Sequence, residues 1–149
     1  MLQRLHNASL PPIVVGRSDE HRLTALAIAA TLTGSAGTVG HTLLFEMERA
    51  DVVGDADVPD DVVRMESVVD FSIDDAKRRR VRLVYPADAD IDSGKISVLT
   101  PIGTALIGMS PGQAIPLEGP DGCAHTLAVL SVAPAESRRP QKARVAAGS

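Results

Sequence analysis

The chain has 149 residues, 44% hydrophobic and 23% charged, and its 15 Lys and Arg against 19 Asp and Glu give a net charge of −4. That size suits one ordinary domain or two small ones, with an aliphatic core because Phe45, Phe71 and Tyr85 are the only aromatics. One cysteine, Cys123, excludes an internal disulfide, and no apolar run approaches membrane-spanning length. With no basic-then-apolar leader pattern at the N-terminus, the expectation is a cytoplasmic protein without membrane contact.

Residues 1–12 end in Pro11-Pro12 and read as loosely ordered, and Ile13-Val14-Val15 reads as a short strand or packed lead-in. Ser18 suits a helix N-cap, with Asp19 and Glu20 in the first turn. The helix runs to about Leu32, burying Leu23, Leu26, Ala27 and Ala30. A Gly/Ser/Thr turn, Thr33 to Gly40, leads to a second helix from about His41 to Ala50, with Leu43, Leu44, Met47 and Ala50 on one side. Residues 13–50 therefore read as a short antiparallel helical hairpin, and 51–61 as an acidic linker ending near Pro59.

After Pro59 the period changes. Val69, Phe71 and Ile73 alternate with polar residues, Asp74 to Lys77 turns, and Val81, Leu83 and Tyr85 form a second strand stopped by Pro86. Asp88 to Gly94 is an acidic loop, followed by strands at Lys95–Leu99, Gln113–Pro116 and Thr126–Val132, with a tight turn at Gly119–Gly122. Between the third and fourth strands, Thr100 caps a short helix, Pro101 takes its first position, and Gly108 ends it in a left-handed conformation. Gly103 lets that helix lie close to a strand, and Pro111-Gly112 makes a type II turn. The fold class is α+β, a helical hairpin and then a curved antiparallel sheet on a short helix over residues 62–133. Residues 134–149 read as a disordered basic tail of net charge +3, leaving −7 on the rest, which argues against a dedicated nucleic-acid-binding domain.

Catalytic signals fail one by one. Gly103 and Gly108 have phosphate-loop spacing, but Met109-Ser110 stands where Lys-Ser/Thr is needed to meet the phosphate charge. Asp88, Asp90 and Asp92 alternate like a calcium loop, yet Ser93 replaces its glycine and Leu99 its closing glutamate. Cys123 and His125 share a strand face without a third orienting group. His21 and His41 fall on helix surfaces. No catalytic, cofactor or metal residue is assigned, and no enzyme activity is expected.

"KISVLTPIGTALIGMSPGQAI" resembles the C-terminal domain of the Gre transcript-cleavage factors, and "VPDDVVRMESVVDF" and "RVRLVYPADAD" resemble the subfamily called regulator of nucleoside diphosphate kinase. The similarity covers roughly Pro59 to Val132. It implies an FKBP-like domain behind the hairpin and RNA polymerase as partner. The globular domain would dock at the rim of the polymerase secondary channel through the loop before the short helix, here Leu99, Thr100 and Pro101. DNA or RNA contact would be indirect, through polymerase, and a monomer is favoured. In the cleavage factors two acids at the hairpin tip help hold a metal. The turn Thr33 to Gly40 carries no carboxylate, and a helix of about 15 residues reaches only about 22 Å. Cleavage stimulation is therefore not expected. The rival readings are an FKBP-like peptidyl-prolyl isomerase, short of pocket aromatics with Phe71 and Tyr85 alone, and regulation of nucleoside diphosphate kinase through other proteins.

Overall fold

The computed structural model describes residues 10–34, 38–119 and 122–134. The basic tail beyond Pro134, most of the lead-in before Leu10, the middle of the inter-helix turn (35–37) and the Pro120-Asp121 turn lie outside the described residues. The elements in order are β1 (Val14–Gly16), α1 (Arg17–Thr33), α2 (Val39–Arg49), β2 (Asp51–Val53), β3 (Val68–Ile73), β4 (Lys77–Val84), β5 (Lys95–Ser97), α3 (Pro101–Leu106), β6 (Ala114–Glu118) and β7 (Ala124–Ala133).

Helix α1 buries Leu23, Ala27 and Ala30, the spacing of one helical face. Leu26 stays half-buried beside them. Gly40, at the start of α2, lies against the end of α1, where an added Cβ would meet Ala30 and Thr31 at 3.0–3.1 Å. Two sequence expectations change here. Helix α1 begins at Arg17 with Gly16 as N-cap, so Ser18 is not the cap. The Ser18 backbone N–H and hydroxyl both donate to the Asp55 carboxylate in charge-assisted bonds. That bonding holds the Asp55 carboxyl below the usual carboxylate range. The segment read as a linker is also structured. β2 pairs in parallel with β1, Val15 opposite Val52, and Asp55–Asp57 forms a 3-10 turn.

The main sheet has the order β5-β4-β3-β7-β6. Neighbours from β4 to β6 are antiparallel, but β5 runs parallel to β4, pairing Arg82 with Lys95 and Val84 with Ser97. The sheet is therefore mixed rather than antiparallel throughout. Between these strands the chain passes through 3-10 turns at Pro86–Asp88 and Ile91–Ser93 and a left-handed Gly94, and so re-enters in the same direction. The β3–β4 turn is tight because Asp74 and Asp75 both take left-handed backbone angles, a conformation Asp tolerates.

One continuous core joins the two halves of the sequence. Ile13, Leu23, Leu43 and Met47 share it with Phe71, Leu83, Leu106 and Leu127, all essentially without solvent contact. No helix among the described residues is long and apolar enough to cross a membrane.

Candidate docking surface

The Leu99–Pro101 loop is held by a dense set of short-range bonds. Val98 is fully buried and donates its N–H to the Val84 carbonyl at 2.9 Å. The Leu99 N–H donates to Ser97 Oγ, and Thr100 Oγ1 donates to the Ser97 carbonyl at 2.7 Å. Thr100 Oγ1 also accepts from the Gly103 N–H at 3.0 Å, the N-cap bond read from the sequence. The buried Thr104 hydroxyl closes the set on the Val98 carbonyl at 2.7 Å. Leu99 and Thr100 are consequently half-buried and fixed, while Pro101 is exposed at the first turn of α3. Thr100→Ala removes the cap acceptor and is expected to lower stability by about 1 kcal/mol, measurable as a shift of the urea unfolding midpoint.

Pro101 stands between two concavities. On one side is an open groove of about 730 Å³ over the end of the sheet, floored by Ile73, Ile96, Ile102 and Leu117. Arg79, Lys95, Glu118 and His125 supply its charged or titratable rim. On the other side a smaller cavity of about 310 Å³ lies between α2 and α3, bordered by Phe45, Glu46, Ala105 and again Pro101 and Leu117. Ile91 projects over the larger groove at 79% exposure. The sequence reading missed it by treating Asp88–Gly94 as uniformly polar, although one isoleucine among three aspartates is the signal that stood there. Local hydrogen bonds hold the remainder of that loop: Ser93 Oγ donates to the Asp90 carboxylate, and Asp90 pairs with Lys95 through the backbone.

Elsewhere among the described residues, chemistry-bearing side chains pair rather than cluster. His125 Nδ1 lies 2.6 Å from Asp74 Oδ2, and the other Asp74 oxygen accepts from the Thr126 N–H, so the pair ties the β3–β4 turn to β7. Cys123 is exposed, and no group of three or more His, Cys, Asp or Glu converges among the described residues. The arrangement sets an exposed proline between a largely apolar groove and a smaller, partly polar cavity.

Residues 58–134 match the family model for the C-terminal part of transcription elongation factor GreA/GreB. The chain is 34% identical over 125 residues to the regulator of nucleoside diphosphate kinase of Escherichia coli K12, covering 83% of this chain and 90% of that protein. The chain belongs to the GreA/GreB family. GreA of Bartonella henselae is 31% identical over 85 residues, about half of each protein. Among solved structures, a GreA/GreB elongation factor from Nitrosomonas europaea aligns with a TM-score of 0.64 at 33% identity, over 83% of this chain and 98% of that one. The GreA/GreB match contains α3, all five strands of the main sheet and the whole 730 Å³ groove, whereas α1 and α2 precede it.

Proposed function

We propose that the protein is a transcription regulator that binds RNA polymerase at the rim of its secondary channel. It docks through the face carrying Leu99, Thr100 and Pro101 and competes with Gre-type cleavage factors without stimulating transcript cleavage. The observation that carries this reading is the exposed Pro101 beside the largely apolar 730 Å³ groove, both within the GreA/GreB-matched region. Preorganisation of that loop by the Thr100 and Thr104 bonds reduces the ordering cost of docking. Lack of cleavage stimulation is read from the segment Thr33 to Gly40, which joins the two helices and carries no carboxylate to hold a magnesium ion, at the end of a 17-residue helix only about 25 Å long.

The test is co-purification with core RNA polymerase, followed by a cleavage assay on arrested complexes. Binding is expected without cleavage, and with displacement of a cleavage factor. Pro101→Glu places a charge on the apolar edge and is expected to weaken capture at least tenfold while leaving the melting temperature within about 2 °C, since exposed substitutions are usually within about 0.5 kcal/mol. Failure of the wild-type chain to bind would sink the proposal, and robust cleavage would sink the part concerning the tip. An isomerase reading gains nothing from the groove: none of its lining residues is aromatic, and Phe71 is sealed in the core.

A further inference from the structure

Strand β4 opens with four consecutive cations, Lys77, Arg78, Arg79 and Arg80, all exposed. Their cross-strand partners on β3 do little to neutralise them. Lys77 faces Ile73, Arg78 faces Ser72 and Arg79 faces Phe71, none of which is charged. Only Arg80 sits opposite an acid, Asp70, which it holds through two bonds of 3.0 and 3.1 Å and whose carboxyl it keeps below the usual range. Farther along, Arg82 is engaged by Glu66. The tip acid Asp74 is committed to His125 and Thr126.

This run also lies on an open border of the sheet. β5 pairs with Arg82 to Val84, so among the described residues Lys77 to Val81 has β3 on one side and no strand on the other. Lys77 and Arg79 share one face of the strand about 6.6 Å apart, and Arg78 projects from the other. Arg79 alone of the four borders the apolar groove, so Lys77, Arg78 and Arg80 have no apolar anchor beside them of the kind that carries a protein–protein contact. Single-stranded nucleic acid is gripped largely by stacking on aromatic side chains. The strip has no aromatic, because Phe71 is buried beneath it. A duplex backbone needs only cations and released counterions.

We infer that the Lys77–Arg80 border of β4 is a sequence-independent contact for the phosphate backbone of duplex DNA. This goes beyond the polymerase-docking proposal and does not depend on it. It also departs from the expectation that nucleic-acid contact is only indirect. A net charge of −4 averages over a surface that is locally cationic at this border.

Fluorescence anisotropy of a labelled 20-bp duplex with the full chain tests it. Binding is expected at 20–50 mM salt, with log affinity falling against log salt at a slope of about −2 to −3, near 0.9 per phosphate neutralised. The triple variant K77Q/R78Q/R79Q, which spares the Arg80–Asp70 pair, is expected to weaken binding at least tenfold and flatten the slope by about 2. A tail variant with Arg138, Arg139, Lys142 and Arg144 all changed to Gln is expected to keep most of the binding. The inference is overturned if the full chain does not bind at 20 mM salt. That result would leave the strip as a charged guard against edge-to-edge strand pairing. It is equally overturned if binding follows the tail rather than the Lys77–Arg80 strip, or if poly-glutamate of equal charge competes as well as unlabelled duplex, which would make the partner an acidic protein surface.

Discussion

Gly103→Ala should lower the melting temperature by roughly 10 °C, the opposite of what helix propensity alone predicts. In an exposed helix Ala is favoured over Gly by about 1 kcal/mol. At Gly103, however, an added Cβ would fall 2.2 Å from the Ser97 carbonyl oxygen and 2.9 Å from Val98 Cα. Both are backbone atoms, so no rotamer change relieves the overlap. The Ser97 carbonyl is already fixed by the Thr100 hydroxyl, and Val98 by its bond to Val84 on β4. Relief therefore requires α3 to move away from the loop, and Leu106 and Ala105 would leave the core with it. Overpacking typically costs about 1–3 kcal/mol, and overlap with two fixed backbone atoms puts Gly103 at the upper end of that range. For a chain of this size, each kcal/mol corresponds to about 2–4 °C at the low end and somewhat more for smaller domains. Thermal unfolding followed by circular dichroism is sufficient, and an unchanged or raised melting temperature would contradict the close approach.

Local chemistry around α3 was legible in the sequence because each signal acts within a few residues. Thr100 caps, Pro101 starts, Gly108 and Gly112 take left-handed angles of 82° and 91°, and Gly103 makes the close contact. The burial stripe of α1 was equally readable, since an apolar face repeats with the helical period, whereas on α2 only Leu43 and Met47 of the expected face are buried and Glu46 joins them. What escaped was set by distant partners. Ser18 looks like a cap until Asp55, 37 residues away, takes both its donors. Asp51–Val53 looks like linker until β1 pairs with it, and β5 looks antiparallel until its return path is known. The groove draws on segments from Ile73 to His125, so no local window displays it. Likewise the cationic run reads as ordinary strand until the short β5 leaves it at a border.

Buried Glu46 supports the other large prediction. It is 5% exposed on α2, although its neighbours in the helical stripe are Leu43 and Met47. Arg49, three residues on, donates from Nε to Glu46 Oε1 at 3.0 Å and from its other end to the Pro11 carbonyl at 2.6 Å. Arg49 thus ties the lead-in to α2 while neutralising the acid. Burial pushes the Glu46 carboxyl upward, and the Arg49 bond and charge oppose that shift without cancelling it. Arg49→Met keeps much of the volume but strands a carboxylate, and removing one partner of a buried pair typically costs about 3–5 kcal/mol. The sign of its pH dependence follows from the raised pKa. A carboxyl that binds its proton more tightly in the folded state makes stability fall as pH rises from the ordinary value of 4.5 through the raised one. Without Arg49 the pKa rises further, so the deficit of the variant should be largest near pH 8 and shrink steadily toward pH 5. The double variant E46L/R49M removes both charges and should recover most of the loss, because apolar replacements of buried pairs are often neutral or stabilising. Urea unfolding of the three variants at several pH values decides it. A deficit that stays constant from pH 5 to pH 8 would mean that the lost Pro11 contact, and not the stranded Glu46 charge, is what Arg49 supplies.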